Sequence, residues 1–175
     1  MFNGCSSITT IPLYDTSRVT NMSSMFEYCT SLITVPLIDF SNVTNISSMF
    51  YACSSLASVP LLDTSNITNF YRMFKECKLL TSVPLFNTSK ATSLSEMFSG
   101  CTSLTSIPLF DTTLVLNMDN AFNGCRNVQS GALALYNQAS TQQYPPTDHG
   151  ATFRNCGSNT TTGAAELAQI PSDWK

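Results

Sequence analysis

One spacing governs this chain. Met-Phe-x-x-Cys stands at Met1, Met25, Met49, Met73 and Met97, a weaker copy follows at Ala121-Phe122-x-x-Cys125, and every step is 24 residues with no insertion or deletion. A fixed period between about 20 and 50 residues means stacked units, each of which buries its apolar face only against its neighbours. The architecture this imposes is quasi-one-dimensional.

The columns of the repeat specify the unit. After the Cys comes a Leu-like column (Ile8, Leu32, Leu56, Leu80, Leu104, Val128), then a β-branched one (Ile11, Val35, Val59, Val83, Ile107), then Pro-Leu from Pro12-Leu13 to Pro108-Leu109. Residues two apart share a face of an extended segment, so the β-branched residue and the Leu are expected inward. Pro then points outward and limits the strand to about three to five residues. A polar turn follows at Asp15-Thr16-Ser17, with equivalents at Asp39, Asp63, Asn87 and Asp111, residue types that bond neighbouring backbone groups. In the next arm Val19, Met22, Met25, Phe26 and Cys29 fall mostly at helical spacings. This predicts a helix of at most about two turns, partly 3₁₀, capped by Thr20 or Asn21. The expected fold class is an α/β repeat solenoid with one short parallel strand and one short α or 3₁₀ helix per coil. Five 24-residue repeats cover residues 1–126, the first starting mid-coil.

Beyond Arg126 the pattern changes. Ser130–Ala139, with Leu133-Ala134-Leu135-Tyr136, reads as a helix ended by Tyr144-Pro145-Pro146, and Gly163–Gln169 as a second short one. Phe-x-x-Cys returns at Phe153 and Cys156, seven residues out of phase. Residues 127–175 are therefore expected to form a degenerate last coil and a helical C-terminal cap, with Trp174 as a lid. At the other end, a first coil opening at Met1 would show Phe2, Ile8, Ile11 and Leu13 to solvent, so upstream sequence or a partner chain is expected to cover it.

Charge and residue type exclude several classes of function. Only 11% of residues are charged, the net charge is −3, and no Lys/Arg stripe exists to neutralise phosphates, so nucleic acid is not an expected partner. The apolar runs are too short for a membrane-spanning helix. Six of the seven cysteines share one column. Stacked side chains sit about 4.8 Å apart, wider than the roughly 3.8 Å that a disulfide prefers between Cβ atoms, so the thiols are expected free and buried. The single histidine, His149, falls in a cap loop, and no nucleophile–base grouping or phosphate-cradling glycine loop accompanies it. The column Asp15, Asp39, Asp63, Asp111 lacks the Gly-rich turns of calcium-binding rolls and is broken by Asn87. Neither enzymatic activity nor a metal or cofactor is expected.

Two segments carry a family resemblance. Phe-x-x-Cys-x-x-Leu-x-x-(Ile/Val)-x-Leu resembles the leucine-rich repeats of BspA-like bacterial surface proteins, and Asp15–Phe26 is similar to the related repeat of lactic-acid-bacterial and mycoplasmal surface lipoproteins. Similar repeats occur in tail proteins of gut bacteriophages. The resemblance runs from Met1 to about Val128. It implies a leucine-rich-repeat solenoid at a bacterial cell surface, or on a virion, that binds a protein or glycan of a host or bacterial surface. A plain structural spacer is the third possibility.

Candidate binding residues follow from two patterns. Alternation from Leu13 puts Tyr14, Ile38, Leu62, Phe86 and Phe110 outward as an apolar and aromatic ridge; a turn that folds back would half-bury them instead. Columns that differ between copies bracket the short helix and face solvent, among them Tyr28, Tyr51 and Tyr71, with Arg18 and Lys90 on the column after the turn. Thr10, Thr34, Ser58, Ser82 and Ser106 form an outward hydroxyl strip.

Overall fold

In the computed structural model, which describes residues 1–175, each unit closes one coil of a solenoid. Seven coils can be numbered by their phenylalanines: Phe2, Phe26, Phe50, Phe74, Phe98, Phe122 and Phe153. These rings form one continuous stack, with centroids 5.4–5.8 Å apart and planes within 15°. Trp174 closes the stack 6.3 Å from Phe153 and is almost wholly buried, which is the lid expected of it.

The coils are held to one another by backbone hydrogen bonds. Of 91 such bonds only 10 lie within helices. In the arm from Asn21 to Cys29, the N–H groups of Met22, Ser24, Phe26 and Tyr28 donate to Asn45, Ser47, Met49 and Tyr51 of the next coil. The intervening N–H groups of Met25, Glu27 and Cys29 donate three residues back, to Met22, Ser24 and Phe26. The arm is thus a chain of β-turns, and the expected helix does not form. Ser24 and Tyr28 hold φ of 53° and 60°, as do their equivalents in later coils, and a left-handed residue every fourth position interrupts any helix. The sequence carried a sign of this. The column of Tyr28, Ala52 and Glu76 is occupied by Gly4, Gly100 and Gly124 in three other coils.

The strand is likewise reduced, to the single parallel bridge of Ser106 to Ser130, while the other bridges, such as Asn21 to Asn45, stand at the start of the arm. Ile33, Ala57, Thr81 and Thr105 each donate one bond to the preceding coil, and the proline three residues further on withholds its donor. Without a strand, strict alternation fails. Val35 and Ile38, Val59 and Leu62, Ile107 and Phe110 are buried at a spacing of three, the period of a proline-type extended segment. The Leu of Pro-Leu, expected inward, faces solvent in all five copies.

The core is the set of repeated columns. Leu32, Leu56, Leu80, Leu104 and Val128 are fully buried, as are the cysteines from Cys29 to Cys125. Every cysteine is free. From Cys29 to Cys125 each thiol donates to the phenylalanine carbonyl of the coil before, Cys53 to Phe26 and Cys77 to Phe50 among them, at 3.0–3.1 Å. Burial pushes these thiols up, that of Cys53 to about 12.

The cap contains the two helices anticipated from the sequence, α1 (Ala132–Thr141) and α2 (Thr161–Gln169). α1 lies in the one coil that is longer than the 24-residue period, after which the arm resumes in register: Met118, Asn120, Phe122 and Gly124 donate to Asp148, Gly150, Thr152 and Arg154. Thr160 caps α2 by accepting from Gly163, and Glu166 of α2 accepts from the Leu133 N–H of α1. Gly163 has no substitute here, since a Cβ would stand 2.0 Å from the Val128 carbonyl.

Candidate functional site

The invariant columns leave three surfaces on which a ligand could be read: the outer face of the turn arm, the Pro-Leu corner, and a cleft at the cap.

The proposed ridge is not a surface. Ile38, Leu62, Phe86 and Phe110 are buried, and only Tyr14, in the first coil, remains substantially exposed. Phe86 stacks on Phe74 at 5.9 Å and Phe110 on Phe98 at 6.0 Å, so the column is a second apolar wall, aromatic in these two coils, against the first. The chain turns inward after Pro-Leu, which is the folded-back geometry, and burial exceeds half. These four residues belong to the core.

The tyrosines of the variable columns do converge. Tyr28 and Tyr51 lie 5.1 Å apart on the outer face of the arm, Tyr28 well exposed and Tyr51 partly so. The Lys75 ammonium sits 5.9 Å over the Tyr51 ring and pairs with Glu96. Glu96 also receives Arg72 at 2.9 Å, and the Arg72 guanidinium lies 4.7 Å over Tyr71. Burial would raise the Glu96 carboxyl, but hydrogen bonds from Lys75 and Arg72 outweigh it and hold the group below its ordinary value. The network Tyr28–Tyr51–Lys75–Glu96–Arg72–Tyr71 thus spans coils two to five as one oriented ledge. Ion pairs that still reach solvent stabilise little, and with these side chains 17–35% exposed their effect here is mainly to fix side-chain direction. Arg72 and Glu96 escape the sequence reading because their column holds Ser24 and Ser48 in the coils before. Their sign is local density: Arg72, Lys75 and Lys78 supply three of the eight Lys and Arg.

Arg18 and Lys90 do not join the ledge. Both are exposed on the column after the polar turn, where Lys90 reaches back to Asn66 at 3.2 Å. The hydroxyl strip of Thr10, Thr34, Ser58, Ser82 and Ser106 is solvent-facing throughout.

At the cap, a polar cleft of about 500 Å³ is lined by Asn117, Asp119, Thr147, Asp148, His149, Gly150 and Asp173. His149 is not the plain loop residue it resembles in sequence. Its ring stacks 4.3 Å from Trp174, and its Nδ1 is buried without a hydrogen-bond partner. The carboxylates around it do not converge in metal-ligating geometry. The aspartates of the polar turns are tied locally: Asp15, Asp39, Asp63 and Asp111 accept from the N–H two residues on, as does Asn87.

Stacked coils closed by polar turns and a capped end define a solenoid of leucine-rich-repeat type. The T. pallidum leucine-rich-repeat protein TpLRR shares the fold, with a TM-score of 0.57 and 20% identity over 97% of this chain and 73% of that one. A leucine-rich-repeat protein from Bacteroides ovatus aligns with a TM-score of 0.50 and 22% identity, over 87% of this chain and 36% of the other. Both likenesses are of fold. Residues 1–103 and 35–136 match the family described as "Mycoplasma protein of unknown function, DUF285", and the chain belongs to that family. The expected kinship with bacterial leucine-rich-repeat proteins therefore stands. No curated protein matches the chain in sequence.

Proposed function

We propose that the chain is a non-enzymatic binding module that uses the arm's outer ledge to recognise a glycan or protein on a cell surface. The observation that carries this reading is the Tyr28–Tyr51 pair joined to Lys75, Glu96, Arg72 and Tyr71 on an otherwise uniform, weakly charged scaffold. Exposed aromatic faces suit the apolar faces of sugars, and the adjoining charges supply directional donors and an acceptor. Recognition by residues that vary from coil to coil also agrees with the usual division between scaffold and surface in solenoids. An extracellular or virion-borne setting is part of the proposal and rests on the resemblance to surface proteins.

The test is retention of the whole chain on an array of bacterial-envelope polysaccharides and host glycans. Tyr28→Ser combined with Tyr51→Ser is expected to lower retention by about tenfold, the loss of about 1.4 kcal/mol, with little change in melting temperature. Retention unaffected by these changes would refute the ledge as the site. No retention on any glycan or envelope protein would leave the spacer role in its place.

A further inference from the structure

The Pro-Leu corner carries a second, separate feature. Leu13, Leu37, Leu61, Leu85 and Leu109 stand one per coil and are 53–71% exposed. Two residues on in each coil stand the exposed carboxylates of Asp15, Asp39, Asp63 and Asp111, with Asn87 in the fourth place. Hydrogen bonds from Ser17, Ser41, Ser65 and Thr113 hold all four below the ordinary aspartate value, so they are charged at neutral pH. No cation answers them, because the three ion pairs of the chain involve only Arg72, Lys75, Lys78, Glu76 and Glu96. Shallow grooves of about 400 and 330 Å³ separate Leu37 from Leu61 and Leu61 from Leu85. Buried Ile38 and Leu62 contribute to their lining, and Asp39 and Asp63 to their rims.

We propose that this corner docks a cationic amphipathic α-helix of a partner protein, its apolar stripe against the leucines and its lysines or arginines against the aspartates. Backbone chemistry selects the helix. Equivalent rings of successive coils repeat at 5.4–6.5 Å, and one helix turn advances about 5.4 Å, so about one turn of the partner meets each leucine. A helix satisfies its own backbone, whereas a strand laid against leucine side chains would leave its N–H and C=O groups unpaired. Charge selects the sign of the partner. An anionic membrane surface is repelled by the aspartate rail, and a second copy of this chain brings another such rail and a net charge of −3.

The experiment titrates the whole chain with a labelled synthetic helix of about 15 residues, leucines on one face and lysines flanking them, read by fluorescence anisotropy. The lysine peptide is expected to bind at least about tenfold more tightly than its isomer with glutamates for lysines. Leu37→Ser, Leu61→Ser and Leu85→Ser together should abolish binding. Asp39→Asn with Asp63→Asn should weaken it severalfold and flatten its salt dependence. The unfolding midpoint should hold in both cases, because Leu37, Leu61 and Leu85 are 59–64% exposed and Asn87 already makes the same turn bond with Ser89. Equal affinity for the two peptides, no binding of the lysine peptide, or ridge variants without effect would each overturn the proposal. So would self-association abolished by the leucine variants, or tighter binding to phosphatidylserine vesicles than to the peptide. The ridge variants leave the ledge intact, so this proposal and glycan retention fail separately.

Discussion

Truncating Phe74 to alanine tests whether the solenoid is as one-dimensional as its hydrogen bonds indicate. Phe74 is fully buried in the fourth of seven coils, 5.5 Å from Phe50, 5.4 Å from Phe98 and 5.9 Å from Phe86. Removing a buried phenylalanine costs about 3–5 kcal/mol, and stacked geometry adds about 0.5–1.5 kcal/mol per ring pair. With three partners, the expected loss lies at the upper end, about 5 kcal/mol. Phe2, partly exposed and stacked only on Phe26 and Tyr14, should cost about 1–2 kcal/mol by the same change. Against a domain stability of about 5–15 kcal/mol, the central substitution is severe. It should also act on coupling. Each coil touches only its neighbours, so a defect in coil four lets the two ends unfold separately. Trp174, the single tryptophan, sits on Phe153 and reports the C-terminal end, while far-ultraviolet circular dichroism reports the whole chain. In urea the two probes should coincide for the native chain and separate for Phe74→Ala. If Phe74→Ala costs no more than Phe2→Ala, or the probes still coincide, the column is not what couples the coils.

The other predictions concern single columns. Ala52 holds φ of 58° where other coils place glycine, so Ala52→Gly should raise stability by about 0.5–1 kcal/mol in urea titration. Gly124→Ala, at φ of 76° with no atom closer than 3.8 Å to the new Cβ, should cost about 1 kcal/mol from strain alone. Native alkylation at pH 8 should modify Cys5, the only cysteine not buried, while the other six react after unfolding, as counted by mass spectrometry. Serine and threonine hydrogen bonds hold Asp15, Asp39, Asp63 and Asp111 below their ordinary value in the folded chain. They therefore contribute stability above about pH 4 that is lost as pH falls through the lower folded values. Thermal unfolding should be flat from pH 7 to 5 and fall below about 4, and Asp→Asn at all four positions should flatten that acid limb.

Much of the fold was legible because the period is a statement about neighbours. Phe26 and Cys29 repeat unchanged, since each stacks on its own likeness, and Trp174 could be assigned as a lid because the stack needs an end. The errors share one cause. The three- and four-residue spacing of Met22, Met25, Phe26 and Cys29 fits a short helix and a chain of turns equally, and only the glycines in the Tyr28 column distinguish them. The Pro-Leu corner misled in the same way: alternation is a property of strands, and a proline in each copy keeps the segment from becoming one. Inverting that phase buried Phe86 and Phe110 and exposed the leucines. Arg72, Lys75 and Glu96 meet across coils, which no column read by itself reveals.

The turn geometry that displaces the helix also explains why the ledge is free to vary. Tyr28, Ala52 and Glu76 satisfy their backbone by donating to Tyr51, Lys75 and Ser99 in the next coil, a bond that any residue able to adopt positive φ can make. Their side chains are left without a structural task. Elsewhere the side chain is itself the connector. Asp15 closes its turn on Ser17, Thr16 reaches the Asp39 carbonyl, and Cys53 reaches that of Phe26, so those columns hold nearly constant. Variation in the arm thus falls at positions where the backbone alone completes the bond between coils, whereas on the column after the turn Asn42 and Asn66 still bridge coils through their side chains. The ledge of Tyr28, Tyr51, Arg72 and Lys75 occupies that permitted surface, and its side chains can be exchanged for a new ligand without altering a single inter-coil backbone bond.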